Sequence, residues 1–351
     1  MAGNARERLA ELLGGATSAG IFSARLEAPA HGLGLEVAGV GPVSLPLRAP
    51  QAKKLIAVAR PALFGRGEEK LSDTHVRDTW HISPDQITLT GPSWPTLLSD
   101  ALEHFRDALG LPATARLRAE PHAMLVYGKG QFFLPHQDSE KDDAMVGTLV
   151  LSLPSAHTGG ELVIEHAGQR SIYRASKTEL TLVAFYADCR HEVTPVRSGY
   201  RVTLTFNLLA KAGASAPDTG PFTELAHCLE QHFSTPARQR YVRRDLDPPN
   251  RLVYLLNHEY TQRGLSWERL KGAGAERAAL LRAAAGQAGC ASVLALAEVK
   301  QTWDAYPAWS CCRVTFFLIR ARAAGWSVPP RITSSKGVRP PAGHRDLHAG
   351  E

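Results

Sequence analysis

The sequence lacks the features of secreted, disulfide-linked and membrane-spanning proteins. It has five cysteines, an odd number without any C-x-x-C pair, so neither a disulfide framework nor a thiolate zinc site is indicated. It has no run of about 18 uncharged apolar residues that could cross a bilayer. The first ten residues carry charges where a signal peptide would have its apolar region. These absences predict a soluble protein of the reducing cytoplasm that has no membrane partner.

A strong charge of either sign is also absent. The net charge is +6 over 351 residues. Residues 301–351 hold seven Lys or Arg against three Asp or Glu, so most of the excess lies near the end of the sequence. Such a mild balance gives no indication of a nucleic-acid partner. Hydrophobic residues make up 44% and charged residues 21%, which is the composition of a globular protein.

The first region, residues 1–118, is expected to support the rest of the fold with helices and short strands. Glycine commonly ends a helix and proline fits only its first turn, so Gly14-Gly15, Pro61, Pro95 and Pro112 mark helix boundaries. The predicted helices span residues 4–13, 51–60 and 95–110. Apolar residues recur in the third helix at helical spacing and predict one buried face: Leu98, Ala101, Leu102, Phe105 and Leu109.

The second region, residues 119–210, has the pattern of several short strands separated by turns. Its runs are rich in β-branched and aromatic residues: residues 124–127, 147–153, 161–165, 181–186, 191–196 and 200–209. Turn residues such as Gly159-Gly160 and Ser198-Gly199 lie between the runs. The fold class is therefore predicted to be α+β, with a sandwich or jelly roll at its core and N-terminal helices that buttress it.

The rest of the sequence predicts a C-terminal α/β region, residues 211–324, and a loose basic tail, residues 325–351. Helices are expected at 222–233 and 275–288, and a strand is expected at 251–256. In the tail, proline, glycine and basic residues dominate without periodicity, so no packed structure is expected there.

Three residues of the strand-rich region form a candidate metal centre. His136 and Asp138 lie two residues apart at the end of a strand, and such residues project to the same side of an extended segment. His191 begins a later strand and supplies a third ligand. Two histidines and one carboxylate make the facial triad of non-haem Fe(II) oxygenases, which leaves positions open for a co-substrate and dioxygen. A second H-x-D pattern, at His344 and Asp346, lies outside this region and is attributed to chance.

Arg201 makes the proposal more specific. It lies ten residues after His191, on the polar side of the next strand. The two strands are expected to pair as a hairpin that places Arg201 deeper in the barrel than the metal. A planar guanidinium can hold a carboxylate through two hydrogen bonds. A metal and an arginine together suit a dicarboxylate such as 2-oxoglutarate, whose 2-oxo acid end chelates iron.

A resemblance to a known family covers about residues 121–209, roughly a quarter of the chain. The sequence is similar there to the prolyl-4-hydroxylase-like 2-oxoglutarate/Fe(II) dioxygenases. Many prolyl hydroxylases carry lysine where Arg201 stands. The flanks, such as residues 49–80 and 252–281, look like those of microbial proteins with the same domain. The matching positions are Tyr127, Gly130, His136, Asp138, Thr148, Gly159, Gly160, Glu161, Leu162, His191, Arg201 and Thr203.

The resemblance implies a double-stranded β-helix and the cofactors Fe(II), 2-oxoglutarate and O₂, with ascorbate as a reductant. It implies that Arg201 binds the distal carboxylate of 2-oxoglutarate, in a pocket lined by Tyr127, Thr148 and Thr203. It also implies hydroxylation of a C–H bond in the substrate, with release of succinate and CO₂. The expected substrate is a protein side chain such as proline, or a small molecule.

Other functions remain open on the same residues. Oxidative demethylation of nucleic acid or of a small molecule uses the same kind of centre, but the basic, aromatic groove that nucleic acid requires is not evident around residues 121–209. A non-catalytic barrel could bind metal or sense oxygen, although the complete triad and Arg201 count against it. A zinc hydrolase shares histidine and carboxylate ligands but has no use for Arg201.

Several remaining residues are given ordinary structural roles. Residues 131–134 are expected to pack against the helices, and Cys189 is expected to be a small buried residue. His157 and His166 have no predicted partner. His258 lacks the second histidine of a zinc protease.

Overall fold

The structure is a computed structural model that describes residues 5–15, 21–66, 69–71, 73–138, 144–211, 222–235, 251–262, 264–301 and 310–321. All of these residues belong to one compact unit, Met1–Ala321. The loose tail expected at residues 325–351 lies outside the described residues.

The described residues form twenty-two strands. They are β1 Ser23–Pro29, β2 Gly34–Val37, β3 Gly41–Pro42, β4 Arg60–Pro61, β5 Phe64–Arg66, β6 Glu69–Leu71, β7 Arg77–Asp78, β8 Trp80–Ile82, β9 Ile87–Thr90, β10 Arg116–Tyr127, β11 Phe132–His136, β12 Met145–Ser152, β13 His157–Gly159, β14 Leu162–His166, β15 Gln169–Tyr173, β16 Glu179–Tyr186, β17 Arg190–Val193, β18 Val196–Gly199, β19 Arg201–Lys211, β20 Arg251–Leu255, β21 Cys290–Gln301 and β22 Ser310–Ala321.

The same part of the chain has five α-helices and two short 3-10 helices. The α-helices are α1 Ala5–Gly15, α2 Ala49–Val58, α3 Trp94–Ala108, α4 Phe222–Ser234 and α5 Gly272–Gln287. The 3-10 helices are Pro84–Gln86 and Trp267–Arg269. None of the described helices is both long enough and apolar enough to cross a membrane.

The largest sheet has seven antiparallel strands in the order β1-β16-β12-β19-β10-β8-β4. Every residue of β12 is buried, as is expected of a strand that is covered on both faces. The edge strand β1 comes from the N-terminal region and pairs with β16 over seven residues. The N-terminal region therefore contributes strands to the sheet as well as helices.

A second sheet has five antiparallel strands in the order β15-β14-β17-β11-β7. Its residues Phe133, Ile164 and Val193 belong to the same apolar core as Leu149 and Phe185 of the larger sheet. Two antiparallel sheets around one core define a jelly-roll type of fold. The strand-rich, mixed α/β architecture predicted from the sequence is thereby confirmed.

Strands β17 and β19 do not form the hairpin that the sequence predicted. β17 pairs with β11 and β14 in the smaller sheet, whereas β19 pairs with β10 and β12 in the larger sheet. Between them in the chain lies β18, which pairs with β13. His191 and Arg201 therefore belong to different sheets, and the site lies where the two sheets meet.

Helices α2 and α3 pack on the larger sheet. α3 contacts β10 and β1, and α2 contacts β10 and β8. In α3, Ala101 and Phe105 are fully buried, one helical turn apart on the predicted apolar stripe. Pro95 lies in the first turn of α3, where its missing N–H is not needed.

The C-terminal region has an apolar core of its own. Helix α1 packs on α4 and α4 packs on α5, so Leu9, Leu229 and Leu281 meet in one cluster. Helix α5 also packs on β21 of a three-stranded antiparallel sheet, β20-β22-β21. The first helix of the chain therefore packs with the C-terminal region.

Candidate metal centre and anion pocket

The pairing of β11 with β17 brings the three predicted metal ligands together. His136, the last residue of β11, lies opposite His191 of β17, and the centroids of their imidazole rings are 4.2 Å apart. Oδ2 of Asp138 is 3.8 Å from Nε2 of His191. One ligand atom from each residue lies within 4.8 Å of the other two. Two nitrogens and one oxygen can therefore bind a single metal ion.

Backbone carbonyl groups orient both imidazoles. Nδ1 of His136 lies 2.8 Å from the carbonyl oxygen of Leu134. Nδ1 of His191 lies 3.2 Å from the carbonyl oxygen of Cys189. Cys189 is itself buried, as predicted. A carbonyl oxygen accepts a hydrogen bond only from a protonated nitrogen, so Nδ1 carries the hydrogen in both rings. Nε2 then keeps a free lone pair, which is the state that a metal ligand needs.

The hydroxyl of Thr148 orients the carboxylate. It donates a hydrogen bond to Oδ2 of Asp138 at 2.5 Å. Because Thr148 belongs to β12, this bond connects the loop after β11 to the larger sheet. The resemblance assigned Thr148 to the pocket around the distal carboxylate of 2-oxoglutarate. The structure instead places its hydroxyl on a predicted metal ligand.

Burial and neighbouring groups set the protonation states of His136 and Asp138. Burial lowers the pKa of His136 to about 3, and the nearby His191 reinforces this effect. Burial alone would raise the pKa of Asp138, but the two imidazoles and the Thr148 hydroxyl lower it below its usual value. A neutral imidazole and an ionised carboxylate are the forms that bind divalent cations.

Arg201 is the first residue of β19 and lies opposite Tyr127 of β10. Its guanidinium carbon is 5.4 Å from the centre of the Tyr127 ring, and the residue is only 3% exposed. Gly160 makes room for this side chain, because a Cβ at that position would lie 2.9 Å from Cδ of Arg201. The φ angle of Gly160, +69°, also favours glycine. The missing side chain at Gly160 thus leaves the space that the buried arginine occupies.

Among the described residues, the guanidinium of Arg201 forms no ion pair and no hydrogen bond. Burial lowers its pKa, and Tyr127 is the only neighbour that opposes this effect there. The hydroxyl of Thr203, two residues along the same side of β19, is also buried without a described partner. An unpaired buried charge is costly. The distal carboxylate of a dicarboxylate would satisfy both groups, so the residues fit 2-oxoglutarate.

The metal ligands and the guanidinium lie at different levels of β12. Thr148, beside Asp138, and Ser152, which lies opposite Thr203, are four residues apart. This separation is about 13 Å along an extended strand. Ser152 is also buried. The sheet therefore holds the two ends of the site apart.

Phe133 and Arg77 extend the metal centre beyond the predicted residues. The ring of Phe133 stacks on His136, with centroids 3.5 Å apart and an interplanar angle of 22°. The guanidinium carbon of Arg77 is 4.4 Å from the centre of the Phe133 ring. The expectation that residues 131–134 pack against the helices does not hold for Phe133, because β11 belongs to the smaller sheet and its side chain contacts a predicted ligand.

A second group of the same residue types was not predicted. His166 of β14, Asp188 before β17 and His258 after β20 offer ligand atoms within 4.8 Å of one another. The imidazoles of His166 and His258 stack with centroids 4.5 Å apart. A cavity of about 510 Å³ borders His166 and Asp188. Because the three segments are far apart in sequence, no local spacing could indicate this cluster.

The comparison with protein families agrees with this geometry. Residues 122–209 match the 2OG-Fe(II) oxygenase superfamily, and the matched segment includes the three predicted ligands and Arg201. No curated protein matches the chain. The protein therefore carries a 2OG-Fe(II) oxygenase domain and is a 2-oxoglutarate-dependent Fe(II) dioxygenase. The enzyme class predicted from the sequence is confirmed.

Solved structures show more distant likeness. An oxidoreductase of the 2OG-Fe(II) oxygenase family from Burkholderia pseudomallei is 19% identical, with a TM-score of 0.32 over 60% of this chain and 92% of that chain. A Pseudomonas putida prolyl-4-hydroxylase is 19% identical, with a TM-score of 0.31 over 57% and 98%. A Trichoplax adhaerens prolyl hydroxylase, in complex with a hypoxia inducible factor peptide fragment, is 14% identical, with a TM-score of 0.34 over 58% and 90%. With TM-scores this low, none of these likenesses supports an assignment.

Proposed function

We propose that this enzyme hydroxylates a C–H bond of a protein side chain, with Fe(II) held by His136, Asp138 and His191 and 2-oxoglutarate held by Arg201. Three converging ligand atoms and, in the same core, a buried guanidinium without a described partner carry this proposal. The charges also balance, because the metal, one carboxylate and Arg201 leave two positive charges for a dianion. When bound, Fe(II), 2-oxoglutarate and O₂ supply the oxidising chemistry, with release of succinate and CO₂.

The residues around the metal ligands have separate tasks in this proposal. Thr148 keeps the carboxylate ligand in one orientation through its hydrogen bond. Arg201 and Thr203 bind the distal carboxylate, which fixes the direction of the co-substrate. The ring face of Tyr127 lies beside the guanidinium and stabilises its charge in the interior. The protein thus contributes placement and electrostatics.

A polypeptide substrate is favoured by the resemblance to prolyl hydroxylases and by the exposed surface of the smaller sheet. Leu134, two residues before His136, is an apolar side chain that is 43% exposed. On the other strands of this sheet, Arg170 lies 3.2 Å from Glu165 and 3.6 Å from Glu192. Nucleic acid requires a continuous basic surface, whereas a sheet that exposes an apolar residue and pairs its arginine with acidic residues suits a peptide.

Anaerobic loading with Fe(II) and 2-oxoglutarate tests the metal site and the anion pocket. The wild-type protein is expected to develop a metal-to-ligand charge-transfer band. Arg201→Met is expected to weaken 2-oxoglutarate binding by about 30-fold or more, which is the loss typical when one partner of a buried charge pair is removed. Arg118→Met changes an exposed arginine of β10 and serves as the matched control. A wild-type protein with no band would contradict the proposal.

The substrate class requires a second experiment in air. Proline-containing peptides and methylated oligonucleotides are supplied separately, with and without ascorbate, and succinate and product masses are measured. A peptide that gains one oxygen atom supports the proposal. An oligonucleotide that loses a methyl group would favour the demethylase alternative. A loaded protein that forms no succinate with any probe would favour a non-catalytic metal-binding barrel.

A further inference from the structure

Asp188 is a buried carboxylate that lies three residues before His191. Nζ of Lys271, in the C-terminal region, is 3.4 Å from its Oδ1, and the two side chains are 3% and 6% exposed. Removing two charges from water is costly, so a buried ion pair persists only where the surrounding hydrogen bonds are also made. Whether this ion pair is stable therefore depends on the hydrogen bonds around Asp188.

One segment of the C-terminal region makes those hydrogen bonds. Nδ1 of His258 lies 3.0 Å from Oδ2 of Asp188, and the backbone N–H of Glu259 donates to the same oxygen at 3.0 Å. Lys271 donates to the carbonyl of Glu259 at 3.2 Å, and its backbone N–H donates to the Tyr260 hydroxyl at 2.6 Å. Burial would raise the pKa of Asp188, but His258 and Lys271 lower it well below its usual range. The carboxylate is therefore charged and bonded on both oxygens.

The backbone at Asp188 and Cys189 contacts both chain segments that carry the predicted metal ligands. Nε2 of Gln137, the residue between the first two ligands, donates to the carbonyl oxygen of Asp188 at 2.7 Å. The next carbonyl, that of Cys189, lies 3.2 Å from Nδ1 of His191. A shift of this one stretch of backbone would disturb the loop after β11 and the orientation of the third ligand together.

Tyr186 connects the same two regions at an adjoining point. Its hydroxyl donates to the carbonyl oxygen of Leu109 at 2.6 Å and accepts from the backbone N–H of Gly272 at 3.0 Å. Gly272 begins α5, and Tyr186 ends β16 two residues before Asp188. The start of α5 is thus attached at two neighbouring positions to the turn that leads into β17.

We propose that Asp188 is a positioning residue through which the C-terminal region fixes the geometry of the iron site. The inference rests on the proposed metal ligands. It gives the C-terminal region a part in metal binding although that region supplies no ligand. The ion pair with Lys271 holds the Asp188 side chain, and the Asp188 and Cys189 carbonyls hold Gln137 and His191.

A second metal site is the alternative for the same carboxylate, because His166 and His258 are close to it. The surroundings favour the ion pair. Both oxygens of Asp188 already accept hydrogen bonds, and a divalent cation would lie near the buried ammonium of Lys271 and be repelled by it.

The test is a titration of the full-length, metal-free protein with Co²⁺, whose visible absorption reports both affinity and ligand geometry. Asp188→Asn and Lys271→Met are each expected to weaken Co²⁺ binding by about 10-fold or more, as residues that orient metal ligands do, and to change the band pattern. The double variant leaves no unpaired buried charge. Its Co²⁺ affinity is expected to fall by less than the product of the two single-variant effects, because the two residues act as a unit. Circular dichroism establishes that each variant is folded.

Arg118→Met and Glu120→Gln remove an exposed ion pair of β10 and are expected to leave both readouts unchanged. If folded Asp188→Asn binds one Co²⁺ with the wild-type affinity and band pattern, the positioning role is wrong while the proposed metal site stands. If the wild-type protein binds no Co²⁺, the proposed function fails and the inference with it. Two Co²⁺ per wild-type chain, one of them lost in His258→Ala, would show that the Asp188 cluster is itself a metal site and overturn the proposal.

Discussion

Two clusters of two histidines and one aspartate lie in the described part of this protein, and they differ in what surrounds the carboxylate. The first is His136, Asp138 and His191, and the second is His166, Asp188 and His258. In the first, the carboxylate accepts a hydrogen bond from a neutral hydroxyl, and no lysine or arginine of the described chain forms an ion pair with it. In the second, a buried ammonium lies 3.4 Å from the carboxylate.

The comparison shows that residue types and distances alone do not define a metal site. A cation is bound where negative charge is left uncompensated and where imidazole lone pairs are free. The first cluster satisfies both conditions, because backbone carbonyls take the Nδ1 hydrogens. In the second cluster, Nδ1 of His258 is already directed at the carboxylate. The same residue types thus form a candidate metal centre in one place and a hydrogen-bonded buried ion pair in the other.

The largest expected effect separates the two clusters directly. His191→Ala removes a ligand and is expected to lower Fe(II) affinity by more than about 100-fold. This loss is larger than the loss typical when a residue that only hydrogen-bonds to a metal ligand is changed. His258→Ala is expected to keep one bound iron per chain. Metal analysis of both proteins after anaerobic loading measures the difference. Loss of stoichiometric iron in His258→Ala but not in His191→Ala would reverse the assignment of the clusters.

The second prediction compares two buried cations, Lys271 and Arg201. Lys271→Met leaves Asp188 charged and unpaired, which is expected to lower the free energy of unfolding by about 3–5 kcal/mol. Arg201→Met removes a buried charge that has no described partner, so the ligand-free protein is expected to be no less stable than wild type. Urea denaturation without 2-oxoglutarate measures both values. Equal losses of unfolding free energy in the two variants would mean that Arg201 has a partner within the protein and is not an unpaired binding group for a ligand.

Local sequence patterns were sufficient for the elements that depend on one segment. Helix α3 was predicted at residues 95–110 and spans Trp94–Ala108, because its apolar spacing and proline are local signals. Strand β19 was predicted at residues 200–209 and spans Arg201–Lys211, because its side chains alternate between apolar and polar. Arg201 and Thr203 could be placed on one side of that strand for the same reason.

Features that depend on pairing between distant segments could not be read in this way. The predicted hairpin of β17 and β19 is wrong, because the choice of strand partners is made by the whole sheet. Strands β21 and β22 are each twelve residues long and pair along their whole length, yet the alanine, glutamate, lysine and glutamine of β21 are weak strand formers. The cluster around Asp188 depends on a contact with Lys271, 83 residues away.

A third prediction concerns the pH dependence of the metal-free protein. Burial lowers the pKa of His136 to about 3, below the value near 6.5 of an unfolded histidine, so acid protonates the unfolded state first. The folded state therefore keeps its full free energy of unfolding above about pH 6.5, and it loses part of this free energy as the pH falls below that value. From pH 7 to 5, wild type is expected to lose about 2 kcal/mol more than His136→Gln. Urea denaturation at both pH values measures this, and the exposed His31→Gln should behave as wild type. Parallel losses in wild type and His136→Gln would show that His136 is not held neutral.

The smallest expected effect tests whether the space around Arg201 is specific. Ala in place of Gly160 would put a Cβ 2.9 Å from Cδ of Arg201, at a φ of +69°. Gly168 has a similar φ of +79° but nothing within 4 Å of an added Cβ, so Gly168→Ala imposes the same backbone strain beside the other cluster without moving a side chain. Gly160→Ala is expected to weaken 2-oxoglutarate binding by about 10-fold, since a displaced guanidinium keeps its charge but loses one of two hydrogen bonds. Gly168→Ala is expected to leave 2-oxoglutarate binding unchanged and to lower only stability. Titration of 2-oxoglutarate into both Fe(II)-loaded variants distinguishes these outcomes, and equal binding in the two would mean that the space at Gly160 does not determine the position of the Arg201 guanidinium.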